Sequence, residues 1–182
     1  VWQEAEHAWL ASEKAAIRSF VAGMKRPFMG ICLGHQLLAE AIGGHVGPAK
    51  APEVGVMSVG KTERGRASPL FQGLPDPFQV LQWHGAAVSE LPPEATVLAS
   101  SKDCPIQAFR YGKHAYGLQF HVEATAATVG DWAAIPSYRT ALEAAMGAGA
   151  VDRLTADVSA RLPEFNAMAR RIYQNFLGVI RS

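Results

Sequence analysis

A glycine-flanked cysteine lies between a strand pattern and a helix pattern, and few folds accommodate such a junction. Residues 26–31 read Arg-Pro-Phe-Met-Gly-Ile, which is typical of a buried strand. Residues 33–42 have helical composition, and Gly43-Gly44 supplies a stop signal. The segment Gly30-Ile31-Cys32-Leu33-Gly34 therefore predicts a sharp strand-to-helix turn, at which a Cβ two residues to either side of Cys32 would collide with the backbone.

The same junction favours a nucleophilic role for the cysteine. A helix N-terminus carries partial positive charge and unpaired backbone N–H groups, and both stabilise a thiolate. The N–H of Leu33 directly follows Cys32 and is predicted to donate to an oxyanion. A buried, inert thiol is the alternative interpretation of Cys32, and it is the preferred one for Cys104.

A second pattern further along the chain supplies a base for this thiol. Residues 115–120 have strand character, and His121 and Glu123 would share one face of an extended backbone. A carboxylate beside a histidine orients the ring and stabilises the imidazolium that forms when the ring takes a proton. The sequence therefore predicts a catalytic triad of Cys32, His121 and Glu123.

These segments resemble the motifs of class I, or triad-type, glutamine amidotransferases. Residues 27–39 are similar to the family's nucleophile motif, and residues 117–123 are similar to its His-x-Glu motif. Residues 82–85, Gln-Trp-His-Gly, resemble its substrate-side segment. Within the family, the similarity is greatest to stand-alone proteins that resemble the amidotransferase domain of GMP synthase.

The resemblance implies an α/β fold of the flavodoxin-like type, in which a mostly parallel sheet is flanked by helices and residues 1–182 form one domain. It implies that Cys32 attacks the γ-carboxamide of glutamine and releases ammonia, and that water then hydrolyses the resulting thioester to glutamate. The ammonia would pass to an acceptor on a separate synthetase subunit. The implied oxyanion and substrate-binding residues are Gly30, Leu33, Gln36, His84, Gly85 and Ala86.

Two differences from the family pattern affect these expectations. Many members have an aspartate after the His-Gly pair, where this chain has Ala86. The family also normally begins with additional residues that carry the first strands of the sheet and a glycine-rich loop with the second oxyanion donor. Because this chain opens at Val1-Trp2-Gln3-Glu4, we expect those N-terminal strands to be missing from it.

Two other functions are compatible with the same residues. A γ-glutamyl peptidase would use the same triad on a γ-glutamyl compound, and the alanine at position 86 favours such a modified substrate. A degenerate, non-catalytic binding partner is the third possibility, although the complete triad argues against it.

Composition restricts the remaining functions. A net charge of +1 provides no electrostatic basis for nucleic-acid binding. No apolar stretch is long enough to span a membrane, and no signal peptide opens the chain, so we expect a cytoplasmic protein with no membrane partner. The histidine, cysteine and acidic residues do not recur at ligand spacings, so we expect neither a metal site nor a cofactor.

Two helices are predicted to cover the sheet. The first spans residues 9–21 and would bury a stripe formed by Trp9, Ala16, Ile17, Phe20 and Val21. The last would begin at Pro163 and bury one apolar face, with a partner interface as the alternative role. The residues of that face are Phe165, Met168, Ala169, Ile172, Phe176 and Ile180.

Overall fold

A six-stranded sheet organises the computed structural model, which describes residues 1–181. The strands are β1 (Phe28–Ile31), β2 (His45–Lys61), β3 (Phe78–Glu90), β4 (Ala95–Ser100), β5 (Ala108–Tyr111) and β6 (Ala115–Leu118). Their order across the sheet is β1-β6-β5-β4-β2-β3. The helices are α1 (Trp9–Arg18), α2 (Leu33–Ala41), α3 (Glu63–Arg66), α4 (Thr128–Ala133), α5 (Pro136–Met146) and α6 (Ala150–Arg181).

Helices cover both faces of this sheet, which confirms the α/β class. Phe109 of β5 packs in one apolar cluster with Leu10 of α1 and Leu38 of α2. Its neighbour Ala108 packs in a second cluster with Phe165 of α6. Because successive strand residues point to opposite faces, the two clusters lie on opposite sides of the sheet.

The pairing of the strands differs from the expected mostly parallel arrangement. Only β1 and β6 pair in parallel, while the other four pairings within residues 1–181 are antiparallel. Two of these pairings, β4 with β5 and β5 with β6, follow from the length of the connections, because those links are too short to hold a crossover helix. The one parallel pair joins the strand that precedes Cys32 to the strand that precedes His121.

The first helix buries a different stripe from the predicted one. Leu10, Ile17 and Val21 are buried, whereas Trp9 and Phe20 are 52% and 39% exposed. Ala16 is exposed as well. The prediction was wrong for these three residues because each lies one position, about 100° of helix rotation, before a buried one. The regular helix also ends at Arg18 and continues as a π-helical turn, Ser19–Gly23.

The final helix begins earlier than predicted. Pro163 lies inside α6 and not at its start, which is a correction to the sequence-based prediction. Leu154 and Val158 are buried ahead of the proline, and Phe165 and Ile172 are buried after it. Burial on both sides offsets the cost of about 3 kcal/mol for an interior proline. The predicted covering face is confirmed, except at Ile180, which is 47% exposed.

None of the helices within residues 1–181 has the length and apolar character that crossing a membrane requires.

Candidate active site

Cys32 occupies a strained turn between β1 and α2. Its backbone angles are φ 48° and ψ −102°, a region that side-chain-bearing residues rarely adopt. The Cys32 N–H donates to the Leu118 carbonyl at 2.8 Å, which fixes the turn to the end of β6. The predicted strand-to-helix turn is therefore present, and it holds the cysteine at the carboxyl ends of the parallel strand pair.

Glycines allow α2 to begin directly against the sheet. A Cβ on Gly30 would lie 2.3 Å from the Gly34 carbonyl oxygen, and one on Gly117 would lie 2.7 Å from the His35 Nδ1. Gly30 and Gly117 are partners in the β1–β6 register. A Cβ on Gly34, by contrast, would meet no atom within 4 Å outside its neighbouring helical turns. The predicted collision is confirmed at Gly30 and wrong at Gly34, whose missing side chain would point away from the sheet.

His121 and Glu123 form the predicted pair. The His121 Nδ1 lies 2.6 Å from a Glu123 carboxylate oxygen. Burial lowers the pKa of His121, but hydrogen bonds with Cys32 and Glu123 outweigh this effect and raise the pKa to about 9. Burial likewise raises the pKa of Glu123, and the hydrogen bond from His121 outweighs it, so the pKa is lowered. The His121 ring is therefore an imidazolium at neutral pH, and its Nε2 remains available to hydrogen-bond with Cys32.

A pocket of about 250 Å³ opens above the cysteine and the histidine. Three side chains, which we call the aromatic wall, enclose one side of it: Trp83, Trp132 and Tyr138. The Trp132 ring centroid lies 4.5 Å from that of His121 and 5.4 Å from that of Trp83. Trp132 and Tyr138 were not predicted from the sequence because no motif marks the region of α4 and α5.

The predicted substrate-binding residues differ in their burial and in the groups that their side chains contact. Gln36 is buried, and its Nε2 donates to the Ala86 carbonyl at 3.2 Å and to the Gln119 Oε1 at 3.1 Å. Gly85 is exposed. The His84 side chain is buried and is not part of the pocket lining. The structure therefore brings Gln36 and Ala86 together and directs the His84 ring elsewhere.

The His84 ring belongs to a buried polar cluster that was not predicted from the sequence. Its Nε2 lies 2.9 Å from the Glu53 Oε2. The Glu53 carboxylate also accepts from the Ser101 hydroxyl at 2.7 Å and from the Gln107 Nε2 at 2.7 Å. These donors lower the pKa of Glu53 although burial raises it. The members are far apart in sequence, and only the pairing of β2 with β3 brings Glu53 opposite His84.

Potential metal-ligand atoms of Glu53, His84 and Cys104 lie within 4.8 Å of one another. Burial, together with the charge of Glu53, raises the pKa of the Cys104 thiol to about 12, so the sulfur remains protonated. Both carboxylate oxygens and both ring nitrogens already have hydrogen-bond partners. The arrangement is therefore a satisfied hydrogen-bonded cluster, and it supports the interpretation of Cys104 as an inert thiol.

The chain is similar to a known protein family and to several curated proteins. The family model described as glutamine amidotransferase class-I matches residues 5–132. The glutamine-hydrolyzing GMP synthase subunit of Pyrococcus abyssi is 42% identical over 98 residues, which cover 53% of this chain and 50% of that protein. The aminodeoxychorismate synthase of Streptomyces griseus is 43% identical over 98 residues, which cover 53% of this chain and 13% of that protein. The chain thus spans half or less of the length of these curated relatives.

Solved structures extend the similarity over nearly the whole chain. A glutamine amidotransferase from Thermotoga maritima superposes with a TM-score of 0.82 at 31% identity, covering 96% of this chain and 72% of that one. A glutamine amido transferase from Methylobacillus flagellatus has a TM-score of 0.79 at 26% identity, covering 94% and 70% of the two chains. The region that contains α5 and α6 is therefore shared with these structures, although it follows the residues that the family model matches.

Proposed function

Since the chain belongs to the class I glutamine amidotransferase family, we propose that residues 1–182 act as one domain that hydrolyses the γ-amide of glutamine through a thioester on Cys32. The observation that carries this proposal is the strained Cys32 turn beside the His121–Glu123 pair. Backbone strain of this kind is tolerated where it positions a reacting group. A histidine held as an imidazolium stabilises a thiolate and can later give a proton to a leaving group.

In the first half of the reaction, the Cys32 sulfur attacks the γ-carbonyl carbon of glutamine. The carbon–nitrogen bond breaks, and the leaving nitrogen takes the proton of the His121 imidazolium and departs as ammonia. In the second half, water gives a proton to His121 and its oxygen attacks the thioester carbon. The carbon–sulfur bond then breaks, which releases glutamate and restores the thiolate with the imidazolium.

The residues around the sulfur suit the other tasks of this reaction. The N–H of Leu33, at the first position of α2, has no intrahelical partner and is available to the developing oxyanion. The absence of a Cβ at Gly30 lets the turn come this close to the helix. Gln36, Gly85 and Ala86 would contact the rest of the glutamine molecule. His84 would not contact it but would hold the segment Gly85-Ala86 in position.

We also propose that the ammonia is used by a synthetase on a separate subunit. Support comes from the Pyrococcus abyssi relative, whose name describes a glutamine-hydrolysing subunit of GMP synthase. Mixing the protein with a candidate synthetase and glutamine should yield aminated product, whereas a mixture in which free ammonium salt works but glutamine does not would contradict the partnership.

Covalent labelling tests the nucleophile directly. A diazo-ketone analogue of glutamine should add once to the protein, and peptide mass mapping should place the adduct on Cys32. The buried Cys104 serves as an internal control that stays unmodified. Cys32→Ser should abolish both labelling and glutaminase turnover while the fold remains intact. Turnover that survives this change would exclude the mechanism, and a wild-type protein that takes no label would favour a non-catalytic binding role.

A γ-glutamyl peptidase is the second candidate, and the aromatic wall favours it. Trp83, Trp132 and Tyr138 present ring surface beside Cys32, where the leaving group of a γ-glutamyl compound would lie. Comparing kcat/KM for glutamine with that for a γ-glutamyl anilide distinguishes the two functions. A peptidase should prefer the anilide, and Trp132→Ala should reduce that preference. A preference for glutamine that is insensitive to Trp132→Ala would reject this candidate.

A further inference from the structure

We propose that Gln119 is an additional catalytic residue, whose side-chain amide donates a hydrogen bond to the Cys32 sulfur and is held in one orientation by a line of buried hydrogen bonds. This inference rests on Cys32 being the nucleophile, as in the proposed function. The line runs from Glu53 through His84, the Ala86 carbonyl and Gln36 to Gln119. We call it the amide relay.

Gln119 lies close enough to the sulfur to donate a hydrogen bond to it. The Gln119 Nε2 lies 3.7 Å from the Cys32 Sγ, a hydrogen-bond distance for sulfur. Gln119 is fully buried, and its backbone N–H donates to the Gln107 carbonyl at 2.8 Å, so the residue is fixed at the end of β6. A buried N–H that faces a sulfur stabilises the anionic form more than the neutral form, because hydrogen bonds to charged groups are the stronger ones.

The orientation of the Gln119 amide follows from its neighbours. The Ala86 carbonyl can only accept a hydrogen bond, so the group of Gln36 that faces it must be the NH₂. The same NH₂ lies 3.1 Å from the Gln119 side chain, which must therefore present its oxygen to Gln36. The NH₂ of Gln119 is then left to face the sulfur. Each amide in the relay thus has one orientation that satisfies both of its neighbours.

The far end of the relay holds the Ala86 carbonyl in place. The His84 Nδ1 lies 2.9 Å from this carbonyl, and the His84 Nε2 lies 2.9 Å from the Glu53 carboxylate. Both ring nitrogens lie at hydrogen-bond distance from oxygen atoms, which holds the ring between a carboxylate and a carbonyl. The His84 ring can act on the sulfur only through Gln36 and Gln119.

The relay favours the steps in which the sulfur carries negative charge. In the proposed reaction, the sulfur attacks the amide as a thiolate, is neutral in the thioester, and is a thiolate again when glutamate leaves. A donor fixed on the sulfur stabilises the first and last of these states without having to reorganise. Gln119 touches the reacting atom, whereas Gln36, His84 and Glu53 are positioning residues that act through it.

Alkylation of Cys32 by iodoacetamide, measured at a pH below the midpoint of the wild-type rate-versus-pH profile, tests the contact without requiring glutamine. At such a pH the rate follows the thiolate fraction, so Gln119→Met, which removes the donor and keeps the side-chain length, should lower the rate roughly tenfold. An unchanged rate in a folded Gln119→Met protein would overturn the proposal. Because alkylation does not depend on the natural substrate, a normal alkylation pattern with no glutaminase activity would count against the proposed function alone.

A double-mutant cycle tests whether Gln36 acts through Gln119. Gln36→Met should slow alkylation in the wild-type background and have no further effect in the Gln119→Met background. Independent, additive losses would overturn the relay. If Gln119→Met does not fold, Gln36→Met still tests the proposal by itself. A folded Gln36→Met protein with the wild-type alkylation rate would also overturn the relay.

Asn175→Leu provides the control. The Asn175 side-chain amide donates to the Leu70 and Gln72 carbonyls, each at 2.9 Å, and makes no hydrogen bond to a member of the relay. Replacing this amide by an apolar side chain of similar size should lower the thermal unfolding temperature while keeping the alkylation rate within about twofold of wild type. A tenfold loss in this variant would show that alkylation follows stability, and the proposal would fail.

Discussion

The backbone conformation of Cys32 is unfavourable for the stability of the fold. The position of the Cys32 sulfur depends on that same conformation. The left-handed turn lifts the thiol from the end of β1 toward His121, and strain of this kind costs about 1–3 kcal/mol. The residues around it compensate through the Leu118 carbonyl and the close approach of α2. At the scale of single residues, Cys32 therefore affects both the stability of the fold and the reactivity of the site.

Two substitutions at this position separate the backbone strain from the chemistry. Neither Cys32→Ala nor Cys32→Gly has a sulfur, but only alanine retains the Cβ that makes the turn unfavourable. We expect Cys32→Gly to be more stable than Cys32→Ala by about 1 kcal/mol, the reverse of the usual ranking. Urea denaturation of both proteins measures the difference, and a more stable alanine variant would indicate that the turn is not strained.

The raised pKa of His121 predicts how stability depends on pH. The pKa is about 9 in the folded protein and near the ordinary 6.5 when unfolded, so folding favours the protonated ring. This contribution, on the order of 3 kcal/mol, should be complete below pH 6.5 and disappear as the pH rises through 9. Unfolding free energies of wild type and His121→Gln at pH 6 and pH 10 test it. A gap between the proteins that stays constant with pH would contradict it.

The triad members should also differ in their kinetic importance. His121→Ala removes both the acid and the base, whereas Glu123→Gln removes only the charge that orients and stabilises the ring. We expect the loss in kcat to be smaller for Glu123→Gln than for His121→Ala. Equal losses in a glutaminase assay would mean that the carboxylate does more than orient the imidazole.

At the scale of secondary-structure elements, the contact between β1 and α2 determines the position of Cys32. Gly30 on the strand and Gly117 across from it leave no side chains beneath the first turn of the helix. As a result, the N-terminus of α2 lies directly at the Cys32 sulfur, with no loop between β1 and α2 other than the turn at Cys32. The adjacent parallel strand β6 then brings His121 to the same edge of the sheet.

Alanine substitutions at the two glycines of the turn should have opposite effects on stability. Gly30→Ala forces a Cβ into the Gly34 carbonyl and should cost about 3 kcal/mol or prevent folding. Gly34→Ala meets no neighbour outside its helix and should stabilise the protein by about 0.5–1 kcal/mol through helix propensity. Thermal denaturation compares them. Similar losses in both variants would contradict the packing described here.

Elements with local signals were the ones that the sequence predicted correctly. The apolar run before Cys32, the helix composition after it and the two-residue spacing of His121 and Glu123 are all readable within a few residues. The stripe on α1 was misplaced because Trp9 and Leu10 are adjacent apolar residues, and only the neighbouring α2 decides which is buried. Similarly, the burial of Leu154 and Val158 that carries α6 past Pro163 depends on the sheet beneath it.

At the scale of the whole molecule, the Glu53 cluster joins parts of the chain that share no motif. It connects β2, β3 and the segment between β4 and β5 through one carboxylate. The register of β2 and β3 shifts between Pro48 and Glu53, and this shift sets Glu53 opposite His84. Sequence patterns do not specify such a shift, so neither the cluster nor the amide relay could be predicted before the structure was known.

Breaking this cluster should be costly because its polar groups are buried. Glu53→Gln leaves the buried His84 ring without the carboxylate that it faces, and we expect a loss of about 3 kcal/mol in the unfolding free energy. Arg66→Gln is the control, since Arg66 is 62% exposed and its ion pair with Asp76 is screened by solvent, so this substitution should change the unfolding free energy much less. Equal effects in the two variants would place the Glu53 pair among ordinary surface ion pairs.

The aromatic wall has a consequence for how such a protein could diverge. Cys32 and His121 lie after the ends of β1 and β6, whereas Trp132 and Tyr138 belong to α4 and α5, outside the sheet. Mutations in α5 can reshape the pocket without changing a residue of the strained turn or of the His121–Glu123 pair, whereas mutations at Trp132 would also alter the packing on the His121 ring. A gene duplicate could therefore acquire a new leaving-group preference through changes in a short helical segment and inherit its reaction chemistry unaltered.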